Sequence, residues 1–397
     1  MSYWFAVFAA AFFICYWSVQ NAAVRQMLLL FFGAGFQWHF AGPAGVYPII
    51  LLTLITYSAG ISGSRFLQKA AIVTCVCALV FYKYSLFLAA ELLGLISKEY
   101  SAELVASLKA SIVPASPPLA ISFFVFEFVH YLIEVLRGHA PMRSVKEFGV
   151  FTLFWPSMVA GPIKRYQQFS IVIREGTAHI SQGDIIAGAL KITVGLLKKF
   201  AADNLTLMLD YYVPQFDTLP LKVRWMIFVG IGFRILLDFS GYSDMAIGFA
   251  RMMGIRLPEN FNWPYLATSI SDFWQKWHIS LSSWIRDYVY IPLGGGRQGT
   301  GRKITNALAA MALCGLWHGA GWNFIFWGIY HGLGVGVNTA FTSRYGARIA
   351  ILRGWNKIAV DLIAWSLTML FVLVGWLFFF YPLPQAIHMM AMLVRKA

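Results

Sequence analysis

The segment Leu316-Trp317-His318-Gly319-Ala320 sets an ionisable imidazole between two apolar stretches, 304–317 and 321–340. A titratable group at membrane depth costs several kcal/mol unless it is paired or faces water, so a functional role is its default reading. With an unperturbed pKa of about 6.5, an imidazole can take up or release a proton at neutral pH. His278 is a second candidate, at the junction of an aromatic-rich region. Asp272, Lys276, Ser280 and Ser283 recur at spacings of three and four and are expected to share a helical face, with Phe273, Trp277 and Trp284 on another. Glu127, His130 and Glu134 share one face of a further apolar helix. Arg234 and Asp238, four apart, are expected to pair. For both of these last sets, packing of polar helix faces is the favoured account. His318 and His331 without clustered carboxylates make poor metal-ligand spacing, so no metal is expected.

The elements that must hold these groups are membrane helices. Hydrophobic residues make up 59% of the chain and charged residues 12%, mean hydropathy is +0.65, and a soluble domain carries about 25% charge. The clearest span is 358–380, where only Asp361 is charged. Others read at 3–20, 27–40 with 43–60 across Ala41-Gly42-Pro43, 70–94, 119–136, 185–212, 223–252, 304–317 and 321–340. The expectation is an all-α polytopic membrane protein of about nine to eleven transmembrane helices. The first apolar stretch has no Lys or Arg before it and no small-residue cleavage site, so it reads as an anchoring span.

The net charge of +14 sits in short loops beside the spans: Arg137, Arg143 and Lys146; Lys164 and Arg165; Arg297, Arg302 and Lys303; Arg344, Arg348, Arg353 and Lys357. That is the positive-inside pattern, which also attracts anionic headgroups, and it biases 137–146 and 297–303 toward the cytosol. Membrane lipids are therefore expected partners. No basic domain stands apart from the spans, which argues against nucleic acid. Cys15, Cys75, Cys77 and Cys314 lie in apolar stretches without redox or zinc spacing and read as small core residues. The interludes 96–118 and 163–184 are too short and too poor in periodic apolar residues to fold alone, so residues 1–397 read as one membrane domain.

The region 257–301 departs from clean spans. Its aromatics are interleaved with Asp272, Lys276, His278, Arg286 and Asp287, so re-entrant or interfacial helices lining a cavity are expected. In the loop Leu293-Gly294-Gly295-Gly296-Arg297-Gln298-Gly299-Thr300-Gly301-Arg302-Lys303, Gly296 and Gly301 have Walker spacing. Arg302-Lys303, however, stands where Lys and Ser/Thr are required, and no buried strand precedes it. A basic turn against headgroups, or against a phosphorylated acyl donor, fits better.

Three motifs in order, Asp238-Phe-Ser-Gly-Tyr-Ser-Asp244-Met-Ala-Ile-Gly248, then Trp274-Gln-Lys-Trp-His278-Ile-Ser-Leu-Ser-Ser-Trp-Ile-Arg286-Asp287-Tyr-Val-Tyr-Ile-Pro-Leu-Gly294-Gly295, then Gly315-Leu-Trp-His318-Gly319-Ala, closely resemble the membrane-bound O-acyltransferase family. The bacterial branch that acetylates exopolysaccharides, typified by alginate O-acetylation, is the most similar. Ile121-Ser-Phe-Phe-Val-Phe-Glu127 through Glu134-Val-Leu-Arg137-Gly138, and Val159-Ala-Gly161-Pro162-Ile, look like the same family. The resemblance covers about 119–380; the first 118 residues match in hydropathy only. It implies helices around a funnel or tunnel, with His318 at the narrow point, His278 as the second histidine, and His331 in a less specific Tyr-His-Gly. Asp238, Asp244, Asp272, Lys276, Arg286 and Asp287, carried in the motifs or between them, are supporting candidates. It also implies an inner-membrane enzyme with no bound cofactor, an acyl donor such as acetyl-CoA as substrate, and an extracytoplasmic acetyltransferase and polysaccharide machinery as partners. Arg234 stands where the family more often carries Gln, and His130 where a small polar residue is usual.

Elementary chemistry supplies a mechanism for that assignment. Neutral His318 would accept the proton of a hydroxyl attacking a thioester carbonyl. Gly319, Gly321 and Gly328 would let the chain bend so that the rings of His318 and His331 converge. Asn323, Trp317 and backbone amides are candidates to stabilise the oxyanion. An acyl-enzyme on Ser280 or Ser240 lacks an oriented triad and a nucleophile elbow. The alternatives are a D-alanyl, lipid or protein O-acyltransferase of the same family, and a proton-coupled transporter. The duplicated halves expected of a transporter are not found in the sequence.

Overall fold

The computed structural model describes residues 3–111, 117–297 and 299–395. Pro114 of the 96–118 interlude and Gln298 of the glycine-rich loop lie outside the described residues. Fifteen α-helices follow one another and no strand occurs among the described residues: α1 (Tyr3–Ser18), α2 (Ala22–Ile61), α3 (Arg65–Phe87), α4 (Lys98–Ser111), α5 (Ile121–Leu136), α6 (Val145–Thr152), α7 (Tyr166–Ala178), α8 (Gln182–Tyr212), α9 (Leu221–Met252), α10 (Ile270–Lys276), α11 (Ile279–Ile285), α12 (Gly299–His318), α13 (Trp322–Ala350), α14 (Gly354–Phe380) and α15 (Leu383–Met392). The chain is an all-α membrane protein. By length and composition, α2, α3 with its continuation to Leu95, and α14 can each cross a bilayer. The expected pair 27–40 and 43–60 forms the two halves of α2. The backbone leaves helical geometry at Gly42 (φ 62°, ψ 177°), a conformation open to glycine, and resumes at Pro43. The polar interludes carry α4 and α7. In α7, Tyr166, Phe169 and Ile173 are buried at helical spacing, a periodicity underrated from sequence. Cys75 and Cys314 are buried as expected, but Cys15 and Cys77 are exposed. An apolar helix face turned outward also accommodates a thiol when its surroundings are lipid.

The chain divides into two compact units, Met1–Val194 with Ser243–Pro258, and Gly195–Tyr242 with Glu259–Ala397. In the first, Trp155 is fully buried among Phe5, Phe8, Phe12, Phe36 and Phe249. The polar face of α5 docks the segment that leads into α7. Glu127 meets Lys164 Nζ at 2.7 Å, with both side chains buried. His130 Nε2 accepts from the Tyr166 amide at 3.0 Å. Glu134 contacts Arg137, His139 and Gln167. The packing account of these three residues thus has its partners.

In the second unit α12 and α13 form a hairpin whose backbones nearly touch. A Cβ added at Gly315 would lie 2.2 Å from the Phe324 carbonyl oxygen, and one at Gly328 would lie 2.4 Å from that of Met311. Gly332 and Gly336 continue the stripe against Leu308 and Ile304. Small residues at four-residue spacing let membrane helices approach closely, and dispersion and weak polar contacts then hold them. Buried Arg224 donates to the carbonyls of Phe216, Asp217, Met392 and Arg395, tying α15 to the start of α9.

Each unit offers a test. Gly328→Ala should lower stability by about 1–3 kcal/mol through overpacking, read as earlier thermal unfolding in detergent. Gly301→Ala, with open space around it, should not. Lys164→Met should cost about 3–5 kcal/mol by stranding the Glu127 carboxylate. The double variant Glu127→Leu/Lys164→Met should recover most of that loss in the same assay.

Candidate functional site

The candidate residues of the second unit gather around two chain breaks, one between α10 and α11 and one at the end of α12. The seven-residue helices α10 and α11 are separated by Trp277 and His278, and His278 adopts the left-handed conformation (φ 41°, ψ 56°). Such a backbone costs a non-glycine residue about 1–3 kcal/mol and persists only where the surroundings enforce it. The break corrects the expected common face of Asp272, Lys276, Ser280 and Ser283. Asp272 and Lys276 pair at 2.8 Å within α10. Ser280 turns to Asn260 at 2.9 Å, and Ser283 donates to the Ser280 carbonyl. Asn260, which sequence reasoning missed, is completely buried. Its Oδ1 accepts from the Ser280 amide at 3.1 Å and stands 3.1 Å from His278 Nδ1.

His278 is sealed, packed edge-on to Phe239 at 4.7 Å and facing Trp317 at 6.2 Å between centroids. Its Nε2 has no hydrogen-bond partner among the described residues. His331 is also sealed, against Trp274 (5.3 Å) and Trp327 (4.8 Å), and neither of its ring nitrogens has a partner there. A Cβ on Gly375 would sit 2.6 Å from His331 Nε2, so α14 makes room for the ring.

His318 ends α12 and is the half-buried one of the three. Its ring stands edge to face against Trp317 (4.8 Å), Trp327 (5.1 Å) and Phe379 (5.0 Å). The rings of His318 and His331 therefore meet on a shared wall, Trp327, and Trp317 touches both His318 and His278. Asn323 donates to the Phe379 carbonyl at 3.2 Å, fastening the start of α13 to the end of α14.

A cavity of about 620 Å³ lies in the same unit, lined by Trp274, Gln275, Arg286 and Lys303 together with Ala307, Met311 and Cys314. Along α12 its lining residues Lys303, Ala307, Ala310, Met311 and Cys314 follow one helical face, and His318 is the next position on that face. Fifteen residues of helix set the Lys303 and His318 positions roughly 22 Å apart. The glycine-rich loop is tied to α12 by Asn306 Nδ2 donating to the Gly295 carbonyl at 3.0 Å. Arg286 pairs with its neighbour Asp287 in a π-helical turn.

Two expectations are corrected. Asp238 pairs not with Arg234 but with Lys199, at 2.7 Å. Arg234 instead lies over the Phe380 ring, 4.7 Å from its centroid. Asp244 belongs to the first unit, 3.4 Å from Lys191. Among the described residues no group of three or more His, Cys, Asp or Glu could hold a metal ion.

Known proteins share this arrangement of sequence. The profile of the membrane-bound O-acyltransferase family matches residues 70–382, beginning within α3, upstream of the first motif. A protein named Probable alginate O-acetylase AlgI, from Pseudomonas aeruginosa, is 37% identical over 265 residues, which cover 66% of this chain and 48% of its own length. A peptidoglycan O-acetyltransferase of Helicobacter pylori is 32% identical over 289 residues, 66% of this chain and 54% of that protein. A teichoic acid D-alanyltransferase of Bacillus subtilis is 32% identical over 241 residues, 55% of this chain and 59% of that protein. The chain spans about half the length of the curated relatives it matches.

Proposed function

Since the chain belongs to the membrane-bound O-acyltransferase family, we propose that it moves an acyl group, acetyl in the first instance, from a thioester donor toward hydroxyls of a cell-surface polysaccharide at the inner membrane. The observation that carries this reading is His318. It is half-buried where His278 and His331 are sealed, and, though not itself in the cavity wall, it is the next position on the cavity-lining face of α12.

His318 in its neutral form accepts the proton of the incoming hydroxyl while the oxygen attacks the thioester carbonyl. The tetrahedral intermediate collapses with cleavage of the C–S bond, and the imidazolium returns its proton to the departing thiolate. Backbone amides, Trp317 and Asn323 are the candidate oxyanion donors, one of the two Asn323 Nδ2 hydrogens being taken by the Phe379 carbonyl. The Ser280 hydroxyl is committed to Asn260, which argues against an acyl-enzyme there. The cavity accommodates an amphiphilic donor, with Lys303 and Arg286 available to its phosphates and Ala307, Met311 and Cys314 to its uncharged arm. Acetyl-CoA has this character, and it enters as a substrate rather than a resident cofactor. An extracytoplasmic acetyltransferase partner would receive the acetyl group and complete its delivery to polysaccharide.

The acetyl reading is favoured by relatives named for alginate and peptidoglycan O-acetylation, which align over two thirds of the chain. A D-alanyl donor is the second reading, favoured by the teichoic acid D-alanyltransferases.

His318→Ala, at normal membrane abundance, should reduce surface O-acetylation at least about 10²-fold, measured as ester-bound acetate released by mild base. Undiminished acetylation would reject His318 as the base, and release of D-alanine in place of acetate from the parent strain would favour the second reading. Lys303→Met should raise KM for acetyl-CoA with kcat little changed in washed membranes, because a donor-phosphate contact acts alike on ground and transition states.

A further inference from the structure

We propose that Asn260 is a positioning residue that holds His278 as the Nδ1–H tautomer and thereby presents its bare Nε2 as a hydrogen-bond acceptor inside the site. The inference rests on the reading of this region as an acyl-transfer site, but its geometric premise does not.

The orientation of an amide side chain is settled by its unambiguous neighbours. The backbone N–H of Ser280 can only donate, and it lies 3.1 Å from one terminal atom of Asn260; that atom is therefore the oxygen, Oδ1. The Ser280 hydroxyl donates to the same oxygen at 2.9 Å. The third neighbour, His278 Nδ1 at 3.1 Å, faces an atom that can only accept, so it must carry the ring hydrogen. In a neutral imidazole the proton on Nδ1 leaves Nε2 with a lone pair.

Two further observations give the clamp a purpose. Asn260 also receives the Ile279 amide on its backbone carbonyl at 2.9 Å, and the Asn262 amide reaches the Lys276 carbonyl at 2.9 Å. The 260–262 strip thus fastens the chain on both sides of the left-handed His278. At the same time it caps the first turn of α11, whose own N-cap side chain makes no capping bond. His278 Nε2 is buried without a partner among the described residues. Folded proteins seldom leave such an atom unsatisfied. A hydroxyl or water brought in with the substrate would satisfy it. Asn260 therefore acts on the reaction through His278.

The full-length protein, labelled with 15N-histidine and held in detergent micelles, gives a direct readout, with His278→Gln used to assign the signal. The parent protein should show a protonated Nδ1 and an unprotonated Nε2 on His278. Asn260→Leu should shift that pattern toward a tautomer mixture and lower kcat by about 10²-fold, whereas Asn260→Asp, which keeps an acceptor oxygen, should preserve the Nδ1–H signature. A His278 protonated on Nε2 in the parent protein overturns the proposal even if the leucine variant fails to fold. An unchanged tautomer in a folded Asn260→Leu protein overturns it as well, and so does an altered tautomer with undiminished transfer. The spectra need no acyl transfer, so loss of the acyltransferase reading would be seen separately, as a parent protein with the expected tautomer and no activity on any acyl donor.

Discussion

The near-contact of two helix backbones at Gly315 and Gly328 governs the rest of the second unit. With no side chain at either position, α12 and α13 approach until a carbonyl of one helix almost meets a Cα of the other. Three chemically useful positions are then fixed together. His318 is one turn beyond Gly315 on α12; Trp327 and His331 flank Gly328 on α13. Any residue larger than glycine at the crossing would meet the backbone of the facing helix and force the two apart there. The same reasoning extends to α14, where Gly375 leaves the space that His331 occupies. The site is therefore built from absent side chains as much as from present ones.

Buried imidazoles are handled differently in the two units: His130 of the first has a backbone partner, the Tyr166 amide. In the first unit each charged residue of α5 is answered by a partner from the 137–167 region, and the pairs hold a loop in place. In the second unit, buried ring nitrogens of His278 and His331 are left without protein partners among the described residues. Desolvating a polar atom without a partner costs about 1–3 kcal/mol. Orphaned buried polar atoms also occur in the first unit, at Gln37, Ser85 and Trp155, but among the described residues the orphaned imidazole nitrogens belong to the second, which makes His278 and His331, rather than the Glu127 cluster, candidates for meeting a ligand.

What the sequence made legible follows from how local each signal is. Apolar run length marked the spans of α2, α3 and α14, Gly42-Pro43 marked the break in α2, and mixed charge among aromatics marked the interrupted helices at 257–301. His318 and His278 stood out because ionisable side chains are rare in such apolar and aromatic surroundings. Partner choice was not legible. Arg234 and Asp238 have ideal helical spacing, but Lys199 from α8 lies closer to Asp238 and the Arg234 guanidinium finds the Phe380 ring. The common face of Asp272 and Ser280 failed because a helix period was extended through a residue with positive φ. Asn260 carries no local mark at all: it caps a helix that starts nineteen positions later. Only the folded chain shows which side chain stands at that helix end.

The different burial of the three histidines also constrains where charge could appear in the proposed transfer. An imidazolium needs water, a counter-charge or hydrogen-bond acceptors around it, and creating one in dry aromatic packing is costly. His278 and His331 are enclosed by Trp, Phe and Tyr rings, which suits neutral rings that accept or orient hydrogen bonds. His318 keeps an open side while three aromatic faces hold its ring in place. Aromatic faces carry negative quadrupole density, so they restrain the ring without competing for its lone pair. An imidazole held in this way can take a proton from a hydroxyl and carry positive charge briefly, with water or the substrate on its open side to stabilise it. The division of labour proposed for the three rings thus rests on their surroundings, since the side chains themselves are chemically identical.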